Sequence, residues 1–307
     1  MPFVILLLSF VIIIKSADYL IDAASDLAYH LGISPLIIGL TVVAFGTSAP
    51  EASVNIFASL HNRSDITIGN IVGSNIVNIG IIIGITAILF TIQADWSAIR
   101  IDIPFAFTIS IVFALLVKDD LSRSDGLILG LLFFIYLNYL WLTGKASYVK
   151  NVEVQKQDSG LARILFMLVV GLAGVISGGY LIVQSGIAIA KILGMSEAFI
   201  GLSVIAFGTS LPELITCLVA CRKEKDSIAI GNMVGSNIFN ILFVLSISSL
   251  ISPISFNIGM MYDVIFMIML TFLLFVFSYT RKKVSRLEGI FLVTLYVLYF
   301  SFIYLRR

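Results

Sequence analysis

The sequence predicts an all-α integral membrane protein with ten transmembrane helices arranged as two inverted five-helix repeats, and three observations carry that expectation. Hydrophobic residues make up 59% of the 307 and charged residues 12%, against about 25% charged in a typical soluble domain; mean hydropathy is +1.08. Apolar runs recur along the whole length. Two strings are written twice: GTSAPE at 46–51 returns as GTSLPE at 208–213, and GNIVGSNIVN at 69–78 returns as GNMVGSNIFN at 231–240. Thr47 and Thr209, Glu51 and Glu213, Ser74 and Ser236, and Asn78 and Asn240 are all 162 residues apart, so one unit has been duplicated without slippage.

A bilayer-spanning helix needs about 20 apolar residues, and lipid satisfies no backbone hydrogen bonds, so the spans must be helical. The first run, MPFVILLLSFVIII, has no basic leader and no small-residue cleavage site. It reads as a retained transmembrane helix over 2–25. The span 34–60 carries the first hexapeptide, 66–91 carries the first Asn-rich string, and 99–117 and 124–143 are apolar without a shared motif. The polar stretch 144–160 reads as a cytoplasmic linker. Spans at 161–190, 196–220, 227–251, 260–280 and 287–305 then repeat the order. The chain therefore divides into a first repeat, 1–143, with its motifs within 40–80, and a second, 161–307, with its motifs within 202–242. An odd number of helices per repeat makes the second copy enter the membrane in the opposite sense, related to the first by a pseudo-two-fold axis in the membrane plane. The shared motifs then face each other near the membrane centre.

Positively charged loops set the orientation. With both termini outside, the inner loops hold Arg100, Lys145, Lys150, Lys156, Arg163, Arg222, Lys223, Lys225, Arg281, Lys282, Lys283 and Arg286, twelve in all. The outer side holds six: Arg63, Lys118, Arg123, Lys191, Arg306 and Arg307. Extracellular termini are expected, in a multi-pass protein of the cytoplasmic (plasma) membrane. Lys15 falls inside the first helix, three residues from Asp18, where the two could pair. Their counterparts are Ser177 and Tyr180, so the pair is not part of the repeat and reads as structural. Net charge is +1 with no block of like charge, which sets nucleic-acid binding aside. Cys217 and Cys221, without a neighbouring His, read as small helix residues and not as a soft-metal site.

Pro50 and Pro212 fall inside spans, where a ring without an N–H kinks or breaks a helix, and the carbonyls around Ala44–Thr47 and 206–209 become candidate oxygen ligands. Glu51 and Glu213 follow directly. A carboxylate in hydrocarbon costs about 2.5–3.5 kcal/mol even on lenient scales, so each needs compensation. Each has Thr and Ser four and three residues earlier, on its own helix face, and Ser and Asn from the next helix. That oxygen-rich set suits a hard cation such as Ca²⁺ better than a soft metal. Two ionised carboxylates balance one Ca²⁺ or two Na⁺, so one cluster serves either ion in turn, and a third Na⁺ would make the exchange electrogenic.

With these strings the chain resembles the sodium/calcium exchanger branch of the cation/calcium antiporter superfamily, prokaryotic type without a regulatory domain, whose two inverted α-repeats carry GTS-x-P-(D/E) and G-N-x-x-G-S-N. The resemblance implies ion coordination by Ala44 (through its carbonyl), Thr47, Ser48, Glu51, Ser74 and Asn78, and by Ala206 (carbonyl), Thr209, Ser210, Glu213, Ser236 and Asn240. It implies Na⁺/Ca²⁺ antiport by alternating access, with calcium extruded at the expense of the sodium gradient and the first helix of each repeat sliding. Some relatives carry Asp where this chain has Asn240, which argues against potassium co-transport. A proton-driven exchanger of Ca²⁺ or another divalent ion is the alternative, and a cation channel a remote one. No enzymatic activity, cofactor or obligate protein partner is expected; the substrates are Ca²⁺ and Na⁺, and the chain should function as a monomer surrounded by lipid.

Overall fold

The computed structural model describes residues 2–117, 120–148, 160–193 and 206–306. Helices α1 (Pro2–Leu31), α2 (Pro35–Thr47), α3 (Ala49–Leu60), α4 (Ser64–Phe90), α5 (Ala98–Leu116) and α6 (Arg123–Tyr148) make the first half. Helices α7 (Leu161–Ile192), α8 (Ala206–Thr209), α9 (Leu211–Arg222), α10 (Asp226–Ile251), α11 (Ile258–Arg281) and α12 (Arg286–Arg306) make the second. Among the described residues, eight helices are long and apolar enough to cross a membrane, and α2 with α3, bent by 51° at their junction, makes a ninth. The chain is a multi-pass membrane protein. Of the expected span 196–220, residues 196–205 lie outside the described residues, as do Lys118, Arg307 and most of the expected linker with Lys150 and Lys156.

Two helix boundaries and one strand pairing differ most from the sequence reading. Helix α6 runs on to Tyr148, into the stretch expected as linker. Helix α1 runs to Leu31 because Leu20, Ala24, Leu27 and Ala28 continue its buried stripe past the membrane-length cut at 25. The third is a two-residue antiparallel pair, β1 (Ile92–Gln93) with β2 (Lys283–Val284), that hydropathy does not announce. An isolated bridge joins Leu121 to Ile254. Ile254 is the 162-residue counterpart of Ile92, and Lys283 that of Leu121, so the bridge joins the same two segments of the repeat, one residue out of register.

The two helices that carry the Asn-rich strings form the centre of the bundle. The windows of α4 and α10 are 83% and 78% buried, whereas those of the other six continuous spanning helices do not exceed 39%. Close backbone approach holds them there: a Cβ on Gly231 of α10 would lie 2.6 Å from the Leu36 carbonyl oxygen and 3.0 Å from the Gly39 Cα of α2. Phe45, Phe239 and Phe243 stack beside this crossing, with Phe133 of α6 against them.

A second duplicated arrangement ties the outer helices together. Tyr136 donates to Asp102 Oδ1 at 2.9 Å, and Phe105 stacks on Tyr136 with ring centroids 4.5 Å apart. Tyr299 donates to Asp263 Oδ1 at 3.0 Å, and Phe266 stacks on it at 4.1 Å. Each set joins the fourth span of its half to the fifth, and gives a carboxylate near the start of the fourth span a hydroxyl donor.

Helices α1 and α7, of 30 and 32 residues, are the longest. At 1.5 Å per residue each exceeds the ~30 Å hydrocarbon layer and must tilt or extend beyond it. They pack against each other along Gly171 and Gly178, which face Leu20 and Ile13. Asp18 pairs with Arg222 and with Lys223 (3.4 Å) at the end of α9, and Asp22 with Lys223 (2.8 Å). The expected Lys15–Asp18 pair is therefore corrected: Asp18 reaches across to the α9–α10 turn, where two cations converge, while Lys15 is exposed.

A Cβ at Gly171 would sit 2.8 Å from the backbone N of Leu20 and 2.9 Å from its Cα, atoms that cannot rotate away. Gly171→Leu is expected to destabilise the fold by about 1–3 kcal/mol, read as a lowered midpoint of thermal unfolding in detergent. Gly160→Ala, with nothing within 4 Å of its Cβ, should leave that midpoint unchanged.

Candidate metal centre

Each proline starts a helix instead of kinking one. Helix α2 ends at Thr47, Ser48 leaves the helical region (φ −85°, ψ 7°), and α3 begins at Ala49 with Pro50 in its first turn. The second copy does the same, with Ser210 at φ −89°, ψ 4° and Pro212 in the first turn of α9. The ring cannot donate to the carbonyl four residues back, but in a first turn that N–H would be unsatisfied anyway. The consequence is electrostatic. Glu51 and Glu213 come to lie in the first turns of α3 and α9, at the end where the helix macrodipole favours a negative charge.

Both carboxylates are removed from solvent, at 2% and 1% exposure. Ser48 Oγ donates to Glu213 Oε1 at 3.1 Å, and the Thr47 and Thr209 hydroxyls lie beside Glu213 and Glu51 respectively. Each half thus supplies hydroxyls to the other half's carboxylate. The Glu51 backbone carbonyl accepts from Asn55 Nδ2 at 2.8 Å and Asn70 Nδ2 at 3.4 Å. Thr47 Oγ1 donates to Asn232 Oδ1 at 3.0 Å.

The centre is completed by α4 and α10, where Ser74 and Asn78, and Ser236 and Asn240, are one turn apart on one face. A π-helical turn begins at Asn78 (Asn78–Ile83) and another at Asn240 (Asn240–Val244), a distortion frequent at functional sites. Asn78 Nδ2 donates to Asn237 Oδ1 at 2.9 Å, and Asn240 Nδ2 to Asn75 Oδ1 at 3.0 Å. Exchanging every residue with its counterpart 162 positions away turns one of these bonds into the other.

Glu51 Oε2, Glu213 Oε2, Asn78 Oδ1, Asn240 Oδ1 and Ser236 Oγ are buried with no hydrogen-bond partner. The first four are acceptors alone. Leaving one such group unsatisfied costs about 1–3 kcal/mol, more when it is charged. A bound hard cation would satisfy acceptors of this kind, and the donor set, carboxylate, amide and hydroxyl oxygen, fits Ca²⁺ or Na⁺. Among the described residues no group of three or more His, Cys, Asp or Glu offers a metal a rival site.

Ala44 is buried, and its carbonyl accepts from Ser48 N–H at 3.0 Å and Thr47 Oγ1 at 3.5 Å. It keeps this helical bond, and a carbonyl oxygen with two lone pairs still has one to offer an ion. Ser48, Ser74, Ser210 and Ser236 are buried, Thr209 is partly exposed, and Ala206 opens α8. Asn75, Asn232 and Asn237 join the site without having been singled out as ligands. Asn75 and Asn237 close the repeated G-S-N, and Asn232, like Asn70, sits in the repeated G-N, so the duplication itself was the signal. Asn55 had none, since its counterpart is Cys217.

A cavity of about 590 Å³ runs from Asp65 past Asn70 and Ser74 to Thr209, with Met260, Asp263, Tyr296 and Tyr299 on its other wall. It opens at the bundle end that holds the α3–α4 turn. At the opposite end, a cavity of about 610 Å³ lined by Asp95, Glu224, Asp226 and Lys282 includes none of the twelve expected ligands.

A family model described as sodium/calcium exchanger protein matches residues 1–142 and 163–305. Inner membrane protein YrbG of Escherichia coli is 38% identical over 265 residues, 81% of this chain and 79% of that protein. Sodium/calcium exchanger MaX1 of Methanosarcina acetivorans is 32% identical over 343 aligned positions, 96% of each chain. The solved structure of the sodium-calcium exchanger NCX_Mj soaked with zero Na⁺ and Ca²⁺ superposes with a TM-score of 0.88 at 31% identity, covering 98% of both chains.

If the unpaired oxygens hold a hard cation, Ca²⁺ should stabilise the fold. At about 100 times its dissociation constant the gain is ~2.7 kcal/mol, read as a rise in the unfolding midpoint that chelation reverses. Glu51→Gln with Glu213→Gln should abolish that rise.

Proposed function

The chain belongs to the sodium/calcium exchanger family, a family of transporters and not of enzymes, and on that premise we propose that it is a secondary antiporter that exchanges Na⁺ for Ca²⁺ by alternating access. One observation carries the reading: two buried carboxylates, one from each half and each with an unpartnered oxygen, on the same chain positions of the repeat, joined by the unpartnered amide oxygens of Asn78 and Asn240, also 162 residues apart. The ligand set is Ala44, Thr47, Ser48, Glu51, Ser74 and Asn78 with Ala206, Thr209, Ser210, Glu213, Ser236 and Asn240. Its charge of −2 balances one Ca²⁺ or two Na⁺, so occupation by one ion displaces the other. A third Na⁺ makes the cycle electrogenic and lets the sodium gradient extrude calcium.

The two matched stretches, 1–142 and 163–305, support two five-helix repeats of opposite orientation, 1–143 and 161–307, joined by a cytoplasmic linker. The hydrogen bonds that exchange under the 162-residue shift, and the Leu121–Ile254 bridge that answers the β1–β2 pairing, support the pseudo-two-fold axis. With both termini extracellular, the 590 Å³ cavity opens outward and the ion pairs of Asp18 and Asp22 close the cytoplasmic end. Transport slides α1 and α7 together, breaks those pairs and opens the other side. NCX_Mj has been solved with Na⁺ and Sr²⁺ soaked in, for a study of extracellular ion exchange and binding-site occlusion; the same class of ions is assigned here. The protein works as a monomer in the cytoplasmic membrane and needs no cofactor.

Proteoliposomes loaded with Na⁺ and diluted into Na⁺-free buffer should accumulate ⁴⁵Ca²⁺, and an identical set carrying a pH gradient alone should not. Uptake driven by pH alone would move the chain to proton coupling. Glu51→Gln and Glu213→Gln should each reduce sodium-driven uptake by more than about 100-fold, from the ~3–5 kcal/mol that losing one member of a buried charge cluster costs, while helicity and elution volume stay unchanged. Uptake retained in both variants would remove these glutamates from the site.

A further inference from the structure

Four asparagines close a ring between the two central helices, and its polarity is fixed by the backbone. Asn75 Nδ2 donates to the Asn237 backbone carbonyl at 3.3 Å, and Asn237 Nδ2 to the Asn75 backbone carbonyl at 3.5 Å. A carbonyl can only accept, so each of these amides must turn its nitrogen to the opposite helix and its oxygen the other way. Asn75 Oδ1 then meets Asn240 Nδ2 at 3.0 Å, and Asn237 Oδ1 meets Asn78 Nδ2 at 2.9 Å. With their nitrogens engaged, Asn78 and Asn240 are left with their oxygens buried and unpartnered. Asn75 and Asn237 are themselves almost wholly buried, at 1% and 5% exposure, so no water competes for the ring.

We propose that Asn75 and Asn237 are positioning residues for ion binding: they hold the Asn240 and Asn78 carboxamides with the oxygens presented to the ion and require a hydrogen-bond donor at both positions. This rests on the exchange reading above. A second consequence concerns charge. An ionised carboxylate at position 240 would face Asn75 Oδ1, acceptor against acceptor, and Asn75 cannot turn over without setting the same oxygen against the Asn237 carbonyl. The ring therefore keeps positions 78 and 240 as neutral amides and holds the cluster at two carboxylates. The two halves are tied to one another through the same bonds, since each positioning residue serves a ligand of the other half.

The test is a double-mutant cycle on the purified full-length protein, read by equilibrium ⁴⁵Ca²⁺ binding with Na⁺ as competitor. Thermal midpoints are followed in parallel, so that lost stability is told apart from lost ligand orientation. Asn75→Leu is expected to weaken Ca²⁺ binding about tenfold, the scale of one hydrogen bond to a group that holds an ion. In an Asn240→Leu background the same substitution should cost nothing further, because its effect passes through Asn240. Asn237→Leu should behave alike towards Asn78, and Asn75→Ser serves if the leucine variant does not fold. An equal factor in both backgrounds, or wild-type affinity in Asn75→Leu and Asn237→Leu, would overturn the inference while leaving the exchange reading intact. A wild-type protein that binds no Ca²⁺ would overturn both. Asn240→Asp should not tighten Ca²⁺ binding despite the added acid; tighter binding would contradict the fixed polarity of the ring.

Discussion

Two buried carboxylates with no cationic side chain beside them among the described residues are the constraint on which this structure turns. Moving a carboxylate-sized ion into a medium of low dielectric costs several kcal/mol even after relaxation, so Glu51 and Glu213 persist only because their surroundings answer that cost. Part of the answer is in the backbone: the breaks at Ser48 and Ser210 put each glutamate in the first turn of a helix. Part comes from hydroxyls of the opposite half, as in the bond from Ser48 to Glu213. What remains includes carboxylate and amide oxygens without donors, and in our reading those oxygens are the ion's share.

The same constraint gives a physical basis for coupling. A closed, dry and empty site would leave two charges unpaired, so in our reading passage between outward-open and inward-open states is favoured when Ca²⁺ or Na⁺ fills the cluster. The centre is accordingly rigid, built on the two most buried helices and pinned by close backbone contact at Gly39 and Gly231. The parts assigned to motion lie outside it: α1 and α7 pack chiefly on one another, and their ties to the α9–α10 turn are ion pairs. Such partly exposed pairs contribute little each, which suits a contact that must break in every cycle.

Much of this was legible in the sequence because the duplication conserves polar residues at one spacing while apolar neighbours drift. Thr47 with Thr209 and Glu51 with Glu213 could be paired by position alone. The breaks at Pro50 and Pro212 were legible as interruptions, but not as helix starts that place the glutamates at a helix N-terminus, because that depends on which residue leaves the helical region first. Asp102 with Tyr136 and Asp263 with Tyr299 escaped notice because their spacings, 161 and 163, straddle the offset of the motifs. For Asp18 helical spacing offered only Lys15 as a possible partner, because it sees neighbours in the chain and not Arg222 and Lys223, which tertiary packing brings to it.

The central claim is that one oxygen cluster between Glu51 and Glu213 holds either Ca²⁺ or Na⁺. Its most direct test is a structure determined with Sr²⁺ in place of Ca²⁺, with anomalous scattering to locate the ion, and repeated after exchange into Na⁺. A single anomalous peak within ligand distance of both glutamates, lost when Na⁺ replaces Sr²⁺, is the predicted result. A peak elsewhere, or one that Na⁺ does not displace, would contradict a shared site and with it exchange by competition.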